Sequence, residues 1–235
     1  MIDRKFIDIT LNAKTIDLFA IRSAIFKVIS SSLTVLNGSL LDIGCGKMPY
    51  RKYILDNSNV KSYVGLDIET AFDYEGVKPD ITWDGSVIPS DGSSFDCILL
   101  TEVLEHVPNP EGLLKEAYRV LKKDGIVLFT VPYLWPLHEV PHDQYRYTPW
   151  ALEKHFLNVG FEKIDIRALG GWHASMAQML GLWVRRSPIS PIQRKILSPL
   201  LVPLVRFLLS KDELNHPVLF KEGQMITSIS GVATK

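Results

Sequence analysis

The stretch from Val131 to Pro149 carries the densest set of side chains able to move a proton. It reads VPYLWPLHEVPHDQYRYTP, with His138 and His142 four residues apart. Histidine is the side chain whose ordinary pKa lies nearest neutrality, so these two are the first candidates for a general base. His106, in a separate Thr101–His106 stretch, is the third. Tyr133, Trp135, Tyr145, Arg146 and Tyr147 offer aromatic and cationic surface that could wall an acceptor. Each has a plainer reading beside it. Asp143 and Arg146 suit an ion pair fixing the loop before a helix start at Thr148-Pro149, and His138 suits a surface or capping role. A metal site from His138, His142 and Asp143 is conceivable, but the spacing signal is poor and no metal is assigned.

A second set of residues points to binding. Leu40-Leu41-Asp42-Ile43-Gly44-Cys45-Gly46 is an apolar run ending in an acid and two glycines one residue apart. Glycines there permit positive φ and leave no Cβ in a ligand's way. Asp67 lies 21 residues after Gly46, where an acid ending a second strand can accept both hydroxyls of a ribose. Asp84-Gly85 could accept from an exocyclic amine such as that of adenine, and Thr101-Glu102 follows a continuous apolar run. Alone, the glycines also fit an ordinary strand-to-helix turn, and the acids fit surface carboxylates at strand ends.

The pattern that must position these groups alternates. Strands are expected at 39–43, 62–67, 79–83, 95–100, 126–131 and 160–168, with helices at 48–56, 110–123 and 148–158. An N-terminal helix over 12–36, closed by Asn37-Gly38, precedes them, and Gly125 is read as the stop of the 110–123 helix. Such alternation predicts an α/β, doubly wound, mostly parallel sheet whose ligands bind beyond the carboxyl ends of the strands. Asp42, Gly44, Asp67, Asp84 and Glu102 all fall at such ends.

The character changes after residue 168. From Ala168 to Lys211 there is no Asp or Glu, while Arg185, Arg186, Arg194, Lys195, Arg206 and Lys211 make the formal charge +6. The apolar run 196–209 is short and interrupted by proline, so it is not expected to span a bilayer. Two readings stay open for 172–211: a cap packed on the domain or on a second subunit, or a peripheral contact with an anionic membrane. Residues 225–233 return as a last strand. The division expected is a 1–37 helical segment, a 38–168 core, a 169–224 apolar basic helical insertion and a 225–235 closing strand.

Bulk properties agree with a globular chain. Of 235 residues, 46% are hydrophobic and 22% charged, and 26 basic residues balance 26 acidic ones, which argues against a nucleic-acid partner. Cys45 and Cys97 are too few for a disulfide framework and sit in apolar runs, as buried thiols in a reducing compartment would. Without an apolar leader at Met1, a cytoplasmic chain is expected, with the membrane contact, if made, at the inner face.

The combination of Leu41-Asp42-Ile43-Gly44-Cys45-Gly46, Gly65-Leu66-Asp67, Asp84-Gly85, Phe95-Asp96-Cys97-Ile98 and Glu102-Val103-Leu104-Glu105-His106 resembles the class I S-adenosylmethionine-dependent methyltransferases. The resemblance covers roughly residues 38–168 and the closing strand. It implies a seven-stranded Rossmann-like sheet with the last strand antiparallel, S-adenosylmethionine as methyl donor and S-adenosylhomocysteine as product. It places the methionine part of the donor on the Asp42–Gly46 turn, including Cys45. It further implies the ribose on Asp67, adenine on Ile68, the adenine amine at Asp84-Gly85, and cofactor lining by Thr101 and Glu102. One departure is Met48-Pro49, where many relatives carry a third glycine. The His138–Thr148 segment is also similar to one in small methyltransferases of bacterial glycan and natural-product gene clusters. A hydroxyl on a glycan, a lipid-linked glycan or a small metabolite is the acceptor this implies. The rivals are a non-catalytic donor-binding subunit and, less favoured without the third glycine, a nicotinamide-dependent oxidoreductase.

Overall fold

A computed structural model describes residues 5–69, 76–212, 216–217 and 222–235. Parts of the 1–37 segment and of the 169–224 insertion therefore lie outside the described residues. The sheet runs through β1 (Asn37–Ile43), β2 (Asn59–Ile68), β3 (Ile81–Trp83), β4 (Phe95–Thr101), β5 (Leu121–Pro132), β6 (Lys163–Leu169), β7 (His216–Pro217) and β8 (Ser228–Thr234). Its order is β3-β2-β1-β4-β5-β8-β6-β7. β3 through β5 pair in parallel, and β8 runs antiparallel between β5 and β6. Seven of these strands form the sheet that the resemblance implies. The two-residue β7 extends its edge beside β6.

Alternation along the strands divides the core. Leu41, Ile43, Ile98, Leu100 and Phe129 face α3 (Pro110–Val120) and α4 (Pro149–Val159). Leu40, Cys97, Leu99 and Leu128 face the opposite way, toward α1 (Phe19–Ser32) and α2 (Arg51–Asn57). A strand buried on both faces loses its polar alternation, which is why β4 reads as an unbroken apolar run. Two helix starts follow their sequence signals. Asn109 accepts from Gly112 N at 3.0 Å ahead of Pro110, and Thr148 accepts from Ala151 N at 3.3 Å ahead of Pro149.

Two boundaries differ from expectation for clear reasons. The first helix spans only Phe19–Ser32, because Ile16 buries with Leu11 against the C-terminal helices instead of continuing a helical stripe. Asn37-Gly38 opens β1: Gly38 has φ +62, and a Cβ there would stand 2.2 Å from Asp96 Oδ2. Nor does Gly125 end α3. That helix stops at Val120, where Leu121 turns extended (φ −70, ψ 140). Gly125 lies inside β5, beside an irregular register with β4, and its Cβ would meet Leu121 and Lys122 at 2.9 Å.

The insertion is a helix pair, α5 (Trp172–Arg186) and α6 (Pro191–Leu209). Its inner face closes a third apolar cluster with Leu11 and Ile16. Asp17 anchors it, taking Arg186 Nε at 3.0 Å while its backbone oxygen accepts Gln178 Nε2 at 3.0 Å. Gly181 allows the contact, since a Cβ on it would lie 2.3 Å from the Ile16 carbonyl. Gly181→Val is expected to wedge α5 off the domain and cost about 1–3 kcal/mol of stability. Thermal unfolding reads this out, and an unchanged midpoint would show that the pair is not seated there.

Candidate active site

At the end of β1 the chain turns at Gly44 (φ +68) and Gly46 (φ +49), in the left-handed region that glycine favours. Gly44 N donates to the Leu66 carbonyl at 2.8 Å, which ties the turn to β2. Asp67 completes the tie: its Oδ2 accepts Gly46 N and its Oδ1 accepts Ile68 N, both at 2.8 Å. Burial raises the Asp67 pKa, and the two N–H bonds pull against that rise. Met48, at the place of the missing third glycine, takes the left-handed backbone itself (φ +52) and packs over Gly65, where a Cβ would lie 2.5 Å from its sulfur. Asp42 is buried and accepts from the Tyr63 hydroxyl, and burial pushes its carboxyl up to about 7. Burial drives the Cys45 thiol above its ordinary value, so it offers the site packing and no thiolate.

These residues line one cavity of about 630 Å³. All ten positions assigned to donor binding border it: Asp42, Gly44, Cys45, Gly46, Asp67, Ile68, Asp84, Gly85, Thr101 and Glu102. Ile68 is 49% exposed and gives the cavity an apolar wall, and Trp83 borders the same space. Asp84 is held below the ordinary carboxylate range by Ser86, whose hydroxyl donates to it and whose N donates at 2.9 Å. Glu102 is a non-glycine residue at φ +54, fixed by its N donating to the Thr130 carbonyl at 2.9 Å. Its Oε1 accepts from Thr130 Oγ1 at 2.8 Å, and burial raises its pKa. An imposed backbone of this kind at a cavity wall marks a constrained, site-forming residue.

The other end of the cavity gathers the proton-transfer candidates. His106, His138 and His142 all border it. The His106 and His138 rings meet edge to face with centroids 4.7 Å apart. Glu139 Oε2 is 3.6 Å from His106 Nε2, and His106 Nδ1 is 3.3 Å from the His142 carbonyl oxygen. His138 Nδ1 stands 3.3 Å from Asp143 Oδ2. Burial lowers the His138 pKa and outweighs the nearby Asp143 carboxylate, so the ring is neutral and able to accept a proton at neutral pH. Glu105, fully buried beside His106, has neither carboxylate oxygen hydrogen-bonded, and burial holds its pKa well above the ordinary range. Among the described residues, Glu105, His106 and His138 bring ligand atoms within 4.8 Å of one another, the cluster best placed to share a cation. The His138, His142 and Asp143 trio is not that cluster.

Of the five residues expected to wall an acceptor, only Trp135 borders the cavity. Arg146 turns away: it grips both oxygens of Asp143 at 2.6 and 2.8 Å and reaches the Trp135 and Pro136 carbonyls at 3.3 Å. The pair holds the Asp143 carboxyl at about 2 and serves to shape the loop, the plainer of its two readings. Tyr147 is buried in the main core and donates to the Leu104 carbonyl at 3.0 Å. Tyr145 donates to the Pro108 carbonyl at 3.2 Å, and Tyr133 lies off the cavity. The tyrosine contacts, with Gln144 N on the Glu105 carbonyl at 2.8 Å, strap the loop to the Leu104–Pro108 turn and hold His138 beside His106.

The cavity also contains residues that sequence reasoning missed. Arg22 of α1 reaches its wall with its guanidinium 4.0 Å over the Phe6 ring, near Tyr50 and Glu102. One signal was present: Leu18, Ile21, Arg22 and Ile25 share a helical face, and an arginine inside an apolar stripe is unusual.

A family model for a methyltransferase domain matches residues 20–171. The chain belongs to this methyltransferase domain family. The donor of this domain is S-adenosylmethionine, and the cavity residues fit it: bare glycine backbone, a strand-end carboxylate and an apolar wall lie in one continuous space. A ubiquinone biosynthesis O-methyltransferase of Pelagibacter ubique is 32% identical over 120 residues, covering 43% of this chain and 45% of that protein. Its Coxiella burnetii counterpart is 26% identical over 111 residues, covering 44% and 47%. The match thus spans less than half the length of these relatives. A Thermotoga maritima methyltransferase structure shares the fold at TM-score 0.58 and 17% identity, covering 94% of this chain and 91% of that one. An Archaeoglobus fulgidus methyltransferase does so at TM-score 0.54 and 15% identity, covering 94% of each chain. Among the described residues no helix is long and apolar enough to cross a membrane.

Proposed function

We propose that this methyltransferase moves a methyl group from S-adenosylmethionine to a hydroxyl of a small acceptor, such as a glycan, a lipid-linked glycan or a small metabolite. The observation that carries this reading is the single cavity bounded by the Gly44–Asp67–Asp84 wall at one end and by His106, His138 and His142 at the other. The donor supplies an electrophilic methyl on a sulfonium, so positioning and exclusion of water do most of the work. Asp67 takes the ribose hydroxyls, Ile68 packs on adenine and Asp84 accepts from its amine. The bare backbone of Gly44 and Gly46 lies along the methionine part, and Arg22 offers a cation to its carboxylate. His138, neutral and backed by Asp143, takes the acceptor's proton as the methyl arrives, with His106 and His142 next in order. The O-methyltransferase names of the curated relatives support oxygen as the acceptor atom.

Calorimetric titration with S-adenosylmethionine and S-adenosylhomocysteine, with NADH as control, tests the donor assignment. Micromolar binding of the first two and none of the third is expected. Release of S-adenosylhomocysteine with a phenol, a sugar alcohol and an amine then tests the acceptor atom, with turnover expected for the hydroxyl compounds. Folded protein that binds neither sulfur compound would overturn the reading.

A further inference from the structure

The helix pair α5–α6 has an inverted surface. In α6, a nineteen-residue helix, only Ser198 and Val205 are fully buried. On the opposite side, Ile192, Ile196, Leu200, Leu204 and Phe207 recur at helical spacing and face outward, with Ile192 at 72% and Leu200 at 67% exposure. In α5, Trp172, Met176, Met179 and Trp183 form a matching outward stripe. A helix that only capped the domain would turn its apolar side inward. Here Asp17, Gly181 and the third cluster seat the inner side while a second apolar face remains in the open. Apolar stripes left exposed on both of two packed helices mark an interaction surface.

Charge identifies its occupant. No Asp or Glu occurs between Ala168 and Lys211. Arg186 and Arg194 are spent internally, on Asp17 and on the Val184 and Ser187 carbonyls. Lys195 and Arg206, eleven residues apart and thus three turns along α6, are exposed on one border of its stripe. Lys211 is exposed just past its end, with its ammonium 5.4 Å over the Phe207 ring. A second copy meeting this face across a two-fold axis would bring these bases against the same face of its partner, whose 168–211 stretch holds no acid to receive them. We infer that the outer face of α5–α6 docks on a lipid bilayer bearing anionic headgroups, with the apolar stripes in the acyl boundary and Lys195, Arg206 and Lys211 at the phosphates. The pair lies on the bilayer and does not cross it. Arg186, at the end of α5, stands 4.8 Å over the ring of Trp135, so docking brings the cavity wall beside the lipid. The docking itself does not depend on the methyl-transfer reading.

Cosedimentation of the full chain with phosphatidylcholine vesicles, and with vesicles of seven parts phosphatidylcholine to three of phosphatidylglycerol, tests this. Binding to the anionic vesicles alone is expected, weakened by high salt. The double variant Ile196→Gln, Leu200→Gln alters only outward side chains and should cut that binding at least about fivefold. Its calorimetric titration with S-adenosylmethionine should match that of the parent, which separates a lost surface from a lost fold. Equal binding to both vesicles, binding to neither, or binding unchanged in the double variant would overturn the inference. So would a concentration-dependent dimer that the variant abolishes, which would assign the face to a second copy.

Discussion

His138→Ala is expected to lower kcat by about 10²–10⁴-fold, the usual worth of a positioned general base, while the S-adenosylmethionine Kd stays unchanged. The geometry sets out why. Asp143 is fixed by two bonds from Arg146 and faces His138 Nδ1 at 3.3 Å. Asp143 Oδ2 accepts the His138 backbone N at 3.2 Å and makes no hydrogen bond to the ring, so it fixes the residue's place and acts on the imidazole through its charge. Burial then lowers the pKa of the ring, so the basic form predominates at neutral pH. The sign of the pH dependence follows. The ring is protonated and inactive at low pH, and kcat rises as pH passes through a value below the ordinary histidine pKa of about 6.5. That limb should vanish in His138→Ala. Asp143→Asn should shift the limb further down, because the carboxylate that favours the imidazolium is gone. Full turnover in His138→Ala would pass the role to His106, the ring 4.7 Å away. A retained limb would show that another group is titrating.

The donor end of the cavity was legible in the sequence because its requirements are local. A glycine turn needs positive φ, and Gly44 and Gly46 supply it. Asp67 and Asp84 end strands that alternation marks out. The acceptor end was legible only in part, since its logic is tertiary. Aromatic residues in a loop look like a ligand wall, but Tyr147 belongs to the main core and Tyr145 fastens the loop to Pro108. Nothing in the spacing reveals that Glu105, His106 and His138 converge, because that depends on how the loop is strapped to the Leu104–Pro108 turn. Ile16 misled for a related reason. Its apolar side chain serves the contact with α5 and α6, and sequence spacing assigned it to a longer α1. Arg22 was missed for a tertiary reason too. The Ile21–Arg22–Ile25 face borders the cavity because of how α1 packs on the sheet, which spacing along the helix does not reveal.

Asp67→Ala should raise the S-adenosylmethionine Kd by about 10–100-fold, corresponding to roughly 1.4–2.8 kcal/mol at tenfold per 1.4 kcal/mol. Two losses combine there. A hydrogen bond from a sugar hydroxyl to a carboxylate is worth about 1.5–3 kcal/mol. The same carboxylate also satisfies Gly46 N and Ile68 N, so alanine leaves both without their acceptor and loosens the turn. Asp67→Asn separates the two contributions. Its amide oxygen can still accept from Gly46 N, but its NH2 then meets Ile68 N, a second donor, so one of the two ties is kept and the charge facing the ribose is removed. If binding the sugar is the main role, Asn should weaken the donor nearly as much as Ala while the unfolding midpoint holds. If fixing the turn is the main role, Asn, which keeps one of the two ties, should bind between the parent and Ala. An unchanged Kd in both variants would take Asp67 out of the site. The ribose role would then pass to another group on this wall, and the glycine turn would stand as an ordinary strand-to-helix connection.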